Sequence, residues 1–318
     1  GSFGKAFVEK LLSRPNEPEK IIIYSRDEMK QNSMREKFSD ENCLRFFLGD
    51  VRDKERLKRA MNNVDYVIHA AANKIVPIAE YDPFECIKTN IIGAMNVVDC
   101  AIDCNVEKVI ALSTDKASSP ANLYGATKLV SDKVFVSGNN YSGANGTKFS
   151  IVRYGNVMGS RGSVIPLFLR QRNNGVLHIT DKRMTRFMID LEQGVELVNF
   201  ALSDCVGGEI YVKKIPSMKV INIASTLGPE CEQHLIGIRP GEKIHEEMIS
   251  LEDSFSTYEY KDYFKILPTL NNWYLDPNRI KDGKKVPTGF SYTSDANSEW
   301  MTPDDLRKWV AEYDKTLF

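Results

Sequence analysis

The first half of the chain alternates short apolar runs with amphipathic segments. Apolar runs that predict buried strands lie at 21–24, 44–48, 64–70, 109–113 and 149–154. Helical patterns separate them, at about 4–14, 27–38, 53–61, 83–104 and 122–138. This alternation predicts an α/β fold in which helices cover both faces of a doubly wound parallel sheet. Ligands of such sheets bind beyond the C-terminal ends of the strands, so the residues there are the candidates for function.

From about residue 155 the pattern loosens. Prolines, short strands and short helices follow in irregular order, without an internal repeat or a low-complexity segment. We therefore predict that residues 1–154 form the doubly wound domain. Residues 155–318 are predicted to form mainly a smaller lobe, with some segments returning to the first domain.

The charge balance narrows the range of partners. The 318 residues include 42 basic and 43 acidic side chains, which leaves a formal net charge of −1. This balance provides no basic field to hold nucleic acid or an anionic membrane. No stretch reaches the roughly 18 apolar residues that span a bilayer. We expect neither nucleic acid nor a membrane to be a partner.

The cysteines and histidines do not form a metal-binding pattern. The six cysteines are spread along the chain without a CxxC pair, and the four histidines form no HxxxH. We interpret the cysteines as reduced thiols that fill core space, and we predict no metal site. Reduced thiols are typical of the cytoplasm, which is the predicted location.

The chain opens on two glycines three residues apart, in Gly1-Ser2-Phe3-Gly4, directly before a helical pattern. Glycines let the backbone approach a pyrophosphate, and a helix N-terminus favours an anion, so a phosphate loop is predicted here. A Gly-Ser start is also typical of a cloning remnant. The next strand ends 21 residues after Gly4, where a nucleotide-binding fold places its ribose-reading residue.

Ser25 and Arg26 stand at that ribose-reading position. A hydroxyl and a guanidinium suit a 2′-phosphate, which favours NADP over NAD, although Asp27 weakens this prediction. Arg26 could instead be a solvated charge at a strand end. At the end of the next strand, Asp50 and the adjoining Val51 are candidates to contact the adenine. Asp50 could alternatively cap the helix that begins near residue 53.

The strongest catalytic signal is the pair Tyr124 and Lys128, which lie four residues apart on one face of a predicted helix. A nearby ammonium lowers the pKa of a phenol from about 10 towards neutrality, so Tyr124 could exchange a proton with a substrate hydroxyl. A hydroxyl from Ser113 or Thr114, at the end of the preceding strand, can hold the same oxygen. A nicotinamide would then take the hydride. The alternative interpretation is that the two residues form a surface pair on a helix without a catalytic role.

Six motifs together resemble the extended short-chain dehydrogenase/reductase superfamily. They are HAAANK (69–74), STDK (113–116), YGATK (124–128), RYGNVMGSRGSVIP (153–166), MTRF (184–187) and RPGEK (239–243). Within it, the chain resembles the inverting UDP-N-acetylglucosamine 4,6-dehydratases that begin pseudaminic acid biosynthesis for flagellin glycosylation. The resemblance spans nearly the whole chain. It implies a Rossmann-like NADP domain, a smaller C-terminal lobe for the UDP-sugar, and a homo-oligomer, either a dimer or a hexamer.

The resemblance also implies roles for individual residues. Tyr124 and Lys128 would be the redox pair with Thr114 beside them, and Asp115 and Lys116 would be the dehydration pair. Residues implied to lie near the cofactor are Ala70 and Lys74, and those near the UDP-sugar are Lys74, Asn156, Val164, Ile165, Pro166, Arg239 and Glu242. The RPGEK segment could instead be an ordinary Pro-Gly turn.

The implied reaction depends on acidity. Oxidising C4 of the sugar to a ketone makes the C5 proton removable, so water can leave across C5–C6 before the stored hydride returns to C6. We assign Lys116 as the base at C5 and Asp115 as the acid at the C6 oxygen. Retaining dehydratases carry an Asp-Glu pair here, so Lys116 favours inversion at C5. Asp115 should also raise the pKa of Lys116 and weaken it as a base, unless burial or the nicotinamide cation offsets this. Tyr124 is the alternative at C5.

Other functions on this scaffold are less consistent with the motifs. A 4-epimerase needs no acid–base pair for elimination, and a non-catalytic NADP sensor or scaffold would typically lack Tyr124 or Lys128. Three departures from the family pattern stand out. The first strand and first glycine of the nucleotide loop are missing before Gly1, so we expect the sequence to be part of a longer chain. Asn73 and Met188 replace a hydrophobic and an aromatic residue, respectively.

Overall fold

The computed structural model describes residues 1–14, 18–144, 146–160 and 162–315. The first half confirms the predicted alternation of strands and helices. Its elements are α1 (Ser2–Leu12), β1 (Ile21–Ser25), α2 (Glu28–Lys37), β2 (Leu44–Leu48), α3 (Lys54–Met61), β3 (Tyr66–His69), α4 (Val76–Tyr81), α5 (Pro83–Ile87), α6 (Gly93–Asp103), β4 (Lys108–Thr114), α7 (Leu123–Ser142) and β5 (Lys148–Tyr154).

The second half is built from shorter elements. They are β6 (Asn156–Val157), α8 (Val164–Gln171), β7 (Val176–Ile179), β8 (Thr185–Ile189), α9 (Leu191–Asp204), β9 (Ile210–Lys213), β10 (Ser217–Lys219), α10 (Val220–Leu227), β11 (Glu232–Leu235), β12 (Glu247–Ile249), β13 (Thr257–Glu259), β14 (Tyr263–Ile266), α11 (Pro277–Ile280), β15 (Lys284–Lys285), β16 (Tyr292–Thr293) and α12 (Pro303–Lys315).

The helix predicted over 83–104 differs in detail. Its middle, Lys88–Ile92, is a π-helical turn between α5 and α6, and the short helix α4 precedes it. Such π-helical turns are frequent at functional sites. The extra residue per turn accommodates Asn90, whose side chain is buried and makes hydrogen bonds described below.

The main sheet combines strands from both halves of the chain. Its order is β15-β13-β14-β9-β5-β4-β3, with β3, β4, β5 and β9 parallel and β14, β13 and β15 antiparallel. Strands β1 and β2 form a separate parallel pair. Within the described ranges, no ladder joins this pair to β3. The register sets Thr114 beside Tyr154, so β4 and β5 end together at the edge where the candidate catalytic residues lie.

The two largest apolar cores among the described residues lie under these elements. The larger one is built on β4, β5 and β9, where Ile110, Phe149 and Ile151 are fully buried, as expected for strands covered on both faces. The second core joins α8, α10 and α12 through residues such as Phe168 and Leu306. In the described part of the chain, no helix has the length and apolar character to cross a membrane.

A buried ionic cluster links α9 to the antiparallel end of the main sheet. Lys265 on β14 donates a 2.8 Å hydrogen bond to Asp204, which also accepts one from the Tyr211 hydroxyl. The Lys265 side chain is only 1% exposed, and its ammonium lies 4.8 Å from the Tyr260 ring centroid. A charge this deeply buried requires its counter-ion.

Candidate active site

The predicted dehydration pair lies in a 3-10 turn, Asp115–Ala117, directly after β4. Asp115 is fully buried, and its Oδ1 accepts hydrogen bonds from the Thr114 hydroxyl at 2.9 Å and from Lys116 Nζ at 3.0 Å. Its other oxygen, Oδ2, has no hydrogen-bond partner. Burial raises the pKa of the Asp115 carboxyl, and this effect exceeds the lowering caused by Lys116.

Helix α7 packs tightly against this turn because Gly125 has no side chain. A Cβ at Gly125 would lie 2.2 Å from the Lys116 carbonyl oxygen. Asn122 caps the helix by accepting a hydrogen bond from the Gly125 amide. The glycine of the YGATK motif therefore lets the helix that carries Tyr124 approach the turn that carries Lys116.

We expect Gly125→Ala to displace the turn. Overpacking of this kind costs about 1–3 kcal/mol of stability, and displacement of Lys116 should lower turnover at least tenfold. Thermal denaturation and steady-state kinetics measure the two effects. Gly194→Ala is the matched control, since Gly194 lies in α9 and a Cβ there would have no neighbouring atom within 4 Å. It should stabilise the protein by about 1 kcal/mol. Equal behaviour of the two variants would contradict the packing argument.

Tyr124 and Lys128 lie on one face of α7 as predicted, but the expected effect on the phenol differs. Burial raises the pKa of Tyr124 to about 12, and Lys116 and Thr114 oppose that rise. The Lys128 ammonium instead donates a 2.8 Å hydrogen bond to the Leu112 carbonyl. The prediction that Lys128 brings the pKa of Tyr124 towards neutrality is therefore wrong for this structure, because desolvation outweighs the nearby cations.

Sequence reasoning missed the second carboxylate of the site. Glu246, just before β12, is almost completely buried, and its Oε1 lies 3.2 Å from Lys116 Nζ. Arg186 on β8 approaches the same oxygen at 3.6 Å. Lys116 therefore lies between two carboxylates, Asp115 and Glu246. No local motif marks Glu246, since it follows the RPGEK segment without a recognisable spacing.

The neighbouring Glu247 holds the loop after the catalytic turn. Its carboxylate accepts hydrogen bonds from the hydroxyls of Ser118 and Ser119. Lys243 donates to the Ser118 carbonyl at 2.6 Å. The segment 243–247 thus contacts the catalytic turn along its length and brings the second half of the chain to the site.

The RPGEK segment is a turn that lies against the start of α7. Asn122 donates a 2.7 Å hydrogen bond to the Gly241 carbonyl. Arg239 and Glu242 form an ion pair with each other at 2.9 Å, and the Arg239 side chain is half exposed. The structure therefore places these two predicted substrate residues next to the start of α7, where they pair with each other.

Lys74 reaches the site from the loop after β3. Burial lowers the pKa of its ammonium, and the charge of Lys116 lowers it further. The loop is fixed through Asn73, which exchanges two backbone hydrogen bonds with the Asn90 side chain at 2.8 and 2.9 Å. Asn90 also donates to Thr127 on α7 at 3.0 Å. The Asn73 side chain adds a 3.2 Å hydrogen bond to the Glu85 carbonyl, so this departure ties the loop to α5.

The RYGN motif borders Asp115. A Cβ at Gly155 would lie 2.5 Å from Phe187 and 3.5 Å from Asp115 Oδ2, so only glycine fits between them. Asn156 follows in β6, and its buried Oδ1 has no hydrogen-bond partner. Further along this segment, Arg161 lies outside the described residues.

The three residues predicted to bind substrate through their backbone, Val164, Ile165 and Pro166, form the first turn of α8. Ile165 is buried in the second core, which fixes the direction of this helix. Its N-terminus therefore has a defined position beside the RYGN segment.

The predicted phosphate loop differs from expectation. Ser2, Phe3 and Gly4 belong to the first turn of α1, and only Gly1 precedes the helix as its N-cap. A Cβ at Gly1 or Gly4 would have no neighbouring atom within 4 Å. The described residues here form a helix N-terminus, and their role in phosphate binding stays a prediction.

The predicted ribose-reading residues lie at the end of β1. The Arg26 guanidinium is half exposed and lies 3.6 Å from the Asp50 carboxylate. Asp27 caps α2 by accepting a 2.9 Å hydrogen bond from the Lys30 amide. Asp27 therefore has a local structural role. Its presence argues less strongly against binding of a 2′-phosphate than the sequence alone suggested. Ser25 accepts from the Gln31 side chain at 3.1 Å.

The end of β2 carries the remaining cofactor candidates. Asp50 pairs with Arg52 at 2.7 Å, and Asp53 is the residue that caps α3, so the capping alternative for Asp50 is wrong. Val51 is buried beneath α6, while Ala70 directly follows β3 and is exposed. Among the described residues, no group of three or more His, Cys, Asp or Glu side chains forms a metal site.

A buried Tyr–Lys pair beside a strand-end Thr, on a doubly wound sheet, defines the scaffold of the extended short-chain dehydrogenases/reductases. The chain matches the family of polysaccharide biosynthesis proteins over residues 1–268, and it belongs to that family within this superfamily. The relationship predicted from the six motifs is confirmed.

Two similar proteins and one similar solved structure show how close the relationship is. An inverting UDP-N-acetylglucosamine 4,6-dehydratase of Campylobacter jejuni is 54% identical, over 96% of this chain and 93% of that protein. A UDP-glucose 4-epimerase of Rickettsia canadensis is 42% identical, over 92% of this chain and 88% of that protein. The X-ray structure of Pen from Bacillus thuringiensis has a TM-score of 0.89 at 36% identity, covering 98% of this chain and 94% of that one.

Proposed function

We propose that the protein is an NADP-dependent lyase that converts UDP-N-acetylglucosamine into a UDP-4-keto-6-deoxy-L-hexose derivative, with inversion at C5. The observation that carries this proposal is the buried ion pair of Asp115 and Lys116 beside Tyr124. A paired acid and amine are what elimination of water requires, and a simple epimerase has no use for them. The Campylobacter jejuni relative carries the same named activity at 54% identity.

The residues divide the chemistry as follows. Tyr124, held by Thr114, exchanges the proton at the C4 oxygen, while Lys128 lies one helical turn away. Burial shifts the pKa of Asp115 upward, which makes its carboxyl a better proton donor to the departing C6 oxygen. Inversion requires one group to remove the C5 proton and another to deliver one to the opposite face. Lys116 and Tyr124 are the two candidates for those roles.

The residues at the ends of β1 and β2 fit NADP. Bound there, the cofactor would accept the hydride from C4 and return it to C6. Arg26 presents a half-exposed guanidinium for a 2′-phosphate, and Asp27 is occupied as a helix cap. Ser25, Asp50, Val51 and Ala70 would complete the nucleoside contacts, and the N-terminus of α1 would face the pyrophosphate.

The UDP-sugar is proposed to bind between the two halves of the chain, with residues 155–318 forming mainly the substrate lobe. Lys74 approaches Lys116 from the first half. Asn156 offers an unpartnered buried oxygen, and the first turn of α8 offers backbone amides. Arg239 and Glu242 would exchange their mutual ion pair for contacts with the diphosphate and ribose.

Incubation with UDP-N-acetylglucosamine in D₂O, followed by NMR, tests the proposal. We expect a 4-keto-6-deoxy product with deuterium at an inverted C5, and faster turnover with added NADP than with NAD. Lys116→Ala should lose deuterium incorporation at C5 or the inversion. A product with an inverted C4 and no loss of water would indicate the epimerase that the Rickettsia relative's name describes. Retention at C5 would indicate a retaining dehydratase.

A homo-oligomer in the cytoplasm is part of the proposal. The π-helical turn, α6 and α7 expose Ile92, Met95 and Val130, respectively, and a second copy could cover these side chains. The six cysteines, all within the described ranges, form no disulfide, as is typical of a reducing compartment. Pseudaminic acid biosynthesis for flagellin glycosylation is the pathway that this activity would serve.

A further inference from the structure

The electrostatic surroundings of Lys116 bear on the direction in which it moves a proton. Its side chain is 22% exposed and lies between the buried carboxylates of Asp115, at 3.0 Å, and Glu246, at 3.2 Å. We propose that Glu246 is a positioning residue that keeps Lys116 in place as an ammonium ion, so that Lys116 gives a proton to the sugar rather than taking one. This inference rests on the proposed function.

Glu246 is itself held rigidly. Its amide donates a 2.8 Å hydrogen bond to the Ser294 hydroxyl, and its carbonyl accepts one of 2.8 Å from the Ser294 amide. Arg186 donates to the carbonyls of Lys243 and Ile244, so it braces the same segment from β8. The carboxylate therefore has a fixed position opposite Lys116, and its Oε2 is buried without a hydrogen-bond partner.

The surroundings shift the pKa values of the Asp115 and Glu246 carboxyl groups in opposite directions. Burial raises the pKa of Asp115, which favours its protonated form. Burial acts on Glu246 in the same direction, but Lys116 and Arg186 outweigh it, so the pKa of Glu246 lies below its ordinary value. Environments that separate two carboxyl pKa values assign them different roles. Asp115 is suited to donate its proton, and Glu246 is suited to remain the counter-ion of Lys116.

Both carboxyl groups affect the pKa of Lys116. Burial lowers the pKa of its ammonium, but the charges of Asp115 and Glu246 exceed this effect, and the pKa lies above the ordinary value. An ammonium with a raised pKa is a poor base at neutral pH. The assignment of Lys116 as the C5 base therefore conflicts with its surroundings. Burial also raises the pKa of Tyr124, so Tyr124 can take this role only through its minor phenolate form.

The proton balance is consistent with Lys116 acting as a proton donor rather than as a base. Two protons leave the sugar, one from the C4 oxygen and one from C5, and the Tyr124 phenolate takes each in turn and releases it to solvent before the next. Two are delivered, one from Asp115 to the C6 oxygen that departs as water and one from Lys116 to C5. In the last step the enolate left after hydride return to C6 supplies the electron pair of the new C5–H bond. The Lys116 nitrogen keeps its lone pair and is protonated again from solvent.

The charge state of Lys116 can be measured without turnover. Trace acetylation with acetic anhydride across a pH series, read by peptide mass spectrometry, reports the pH at which the Lys116 amine becomes reactive. The ionisable groups that face Lys116 are Asp115, Glu246, Tyr124, Lys74, Arg186 and Lys243. In Glu246→Gln the carboxylate is lost while the side-chain shape is kept. We expect the Lys116 midpoint to fall by about 1–3 pH units, the usual effect of removing an adjacent opposite charge.

Glu247→Gln is the matched control, because Glu247 binds the Ser118 and Ser119 hydroxyls rather than Lys116. Its Lys116 labelling curve should superimpose on that of the parent. An unshifted curve in Glu246→Gln, or an equal shift in Glu247→Gln, would overturn the inference. If Glu246→Gln does not fold, Glu246→Asp sets the carboxylate back by one methylene and should shift the midpoint less, in the same direction. An unshifted Glu246→Asp curve would then overturn it.

Kinetics separate this inference from the proposed function. With UDP-N-acetylglucosamine, the alkaline limb of kcat in Glu246→Gln should move to lower pH by the same amount as the labelling midpoint. A uniform fall in kcat at every pH would indicate a merely structural role and overturn the inference. A parent protein that does not turn over this substrate would overturn the proposed function, whereas the labelling result would stand.

Discussion

Tyr124→Phe is expected to lower kcat by about 10²–10⁴-fold, the usual contribution of a general acid–base group. The substitution removes only the hydroxyl that Thr114 holds beside Lys116. The ring keeps its contacts with Ala79 and Cys86, so folding should be preserved. Oxidation at C4 is the first step, and we therefore expect deuterium incorporation at C5 to fall together with product formation. Time-resolved NMR in D₂O measures both.

Tyr141→Phe is the control for this prediction. Tyr141 lies on the same helix, α7, and its side chain is exposed. Its loss of a hydroxyl should leave kcat and the melting temperature unchanged. Retention of more than a tenth of the parent activity in Tyr124→Phe would show that another group handles the proton at the C4 oxygen.

Asp204→Ala is expected to destabilise the protein by about 3–5 kcal/mol, because it leaves the buried Lys265 ammonium without its carboxylate. The Tyr211 hydroxyl loses its acceptor in the same variant. Chemical denaturation followed by circular dichroism measures the change in the free energy of unfolding. Since the cluster lies at the antiparallel end of the main sheet, the effect should be on stability before activity.

Asp103→Ala provides a close comparison. Asp103 and Asp204 are each the last residue of a helix, and each pairs with a lysine at 2.8 Å. The partner of Asp103, Lys58, is about half exposed, and solvent screens such a pair. We expect little change in the denaturation midpoint. Similar losses in the two variants would mean that burial of Lys265 does not determine the energy.

The parallel part of the fold follows from local pattern. Apolar runs such as 109–113 and 149–154 predict buried strands because strands covered on both faces need apolar residues throughout. Strands β13, β14 and β15 are short and pair antiparallel, and β9 also joins this sheet. β13 and β14 pair with each other across a short turn, but the partner strands β15 and β9 are distant in sequence, so periodicity within a window contains no signal for those pairings.

The candidate site also contains both residues that local spacing predicts and a residue that it does not predict. Tyr124 and Lys128 follow from helical spacing, and Asp115 and Lys116 follow from their place at a strand end. The sequence even indicated that Asp115 would disfavour Lys116 as a base. It contained no sign of Glu246, which approaches Lys116 from a segment 130 residues further along the chain.

By itself, the sequence determined the α/β class, the family, and the chemical groups at the ends of the strands. These depend on residue type and short spacing, which the chain carries locally. The tertiary structure decided the balance of the pKa shifts, because burial and the charge of Glu246 come from contacts that no local pattern reveals. Desolvation keeps Tyr124 neutral, and two carboxylates from distant parts of the chain keep Lys116 charged.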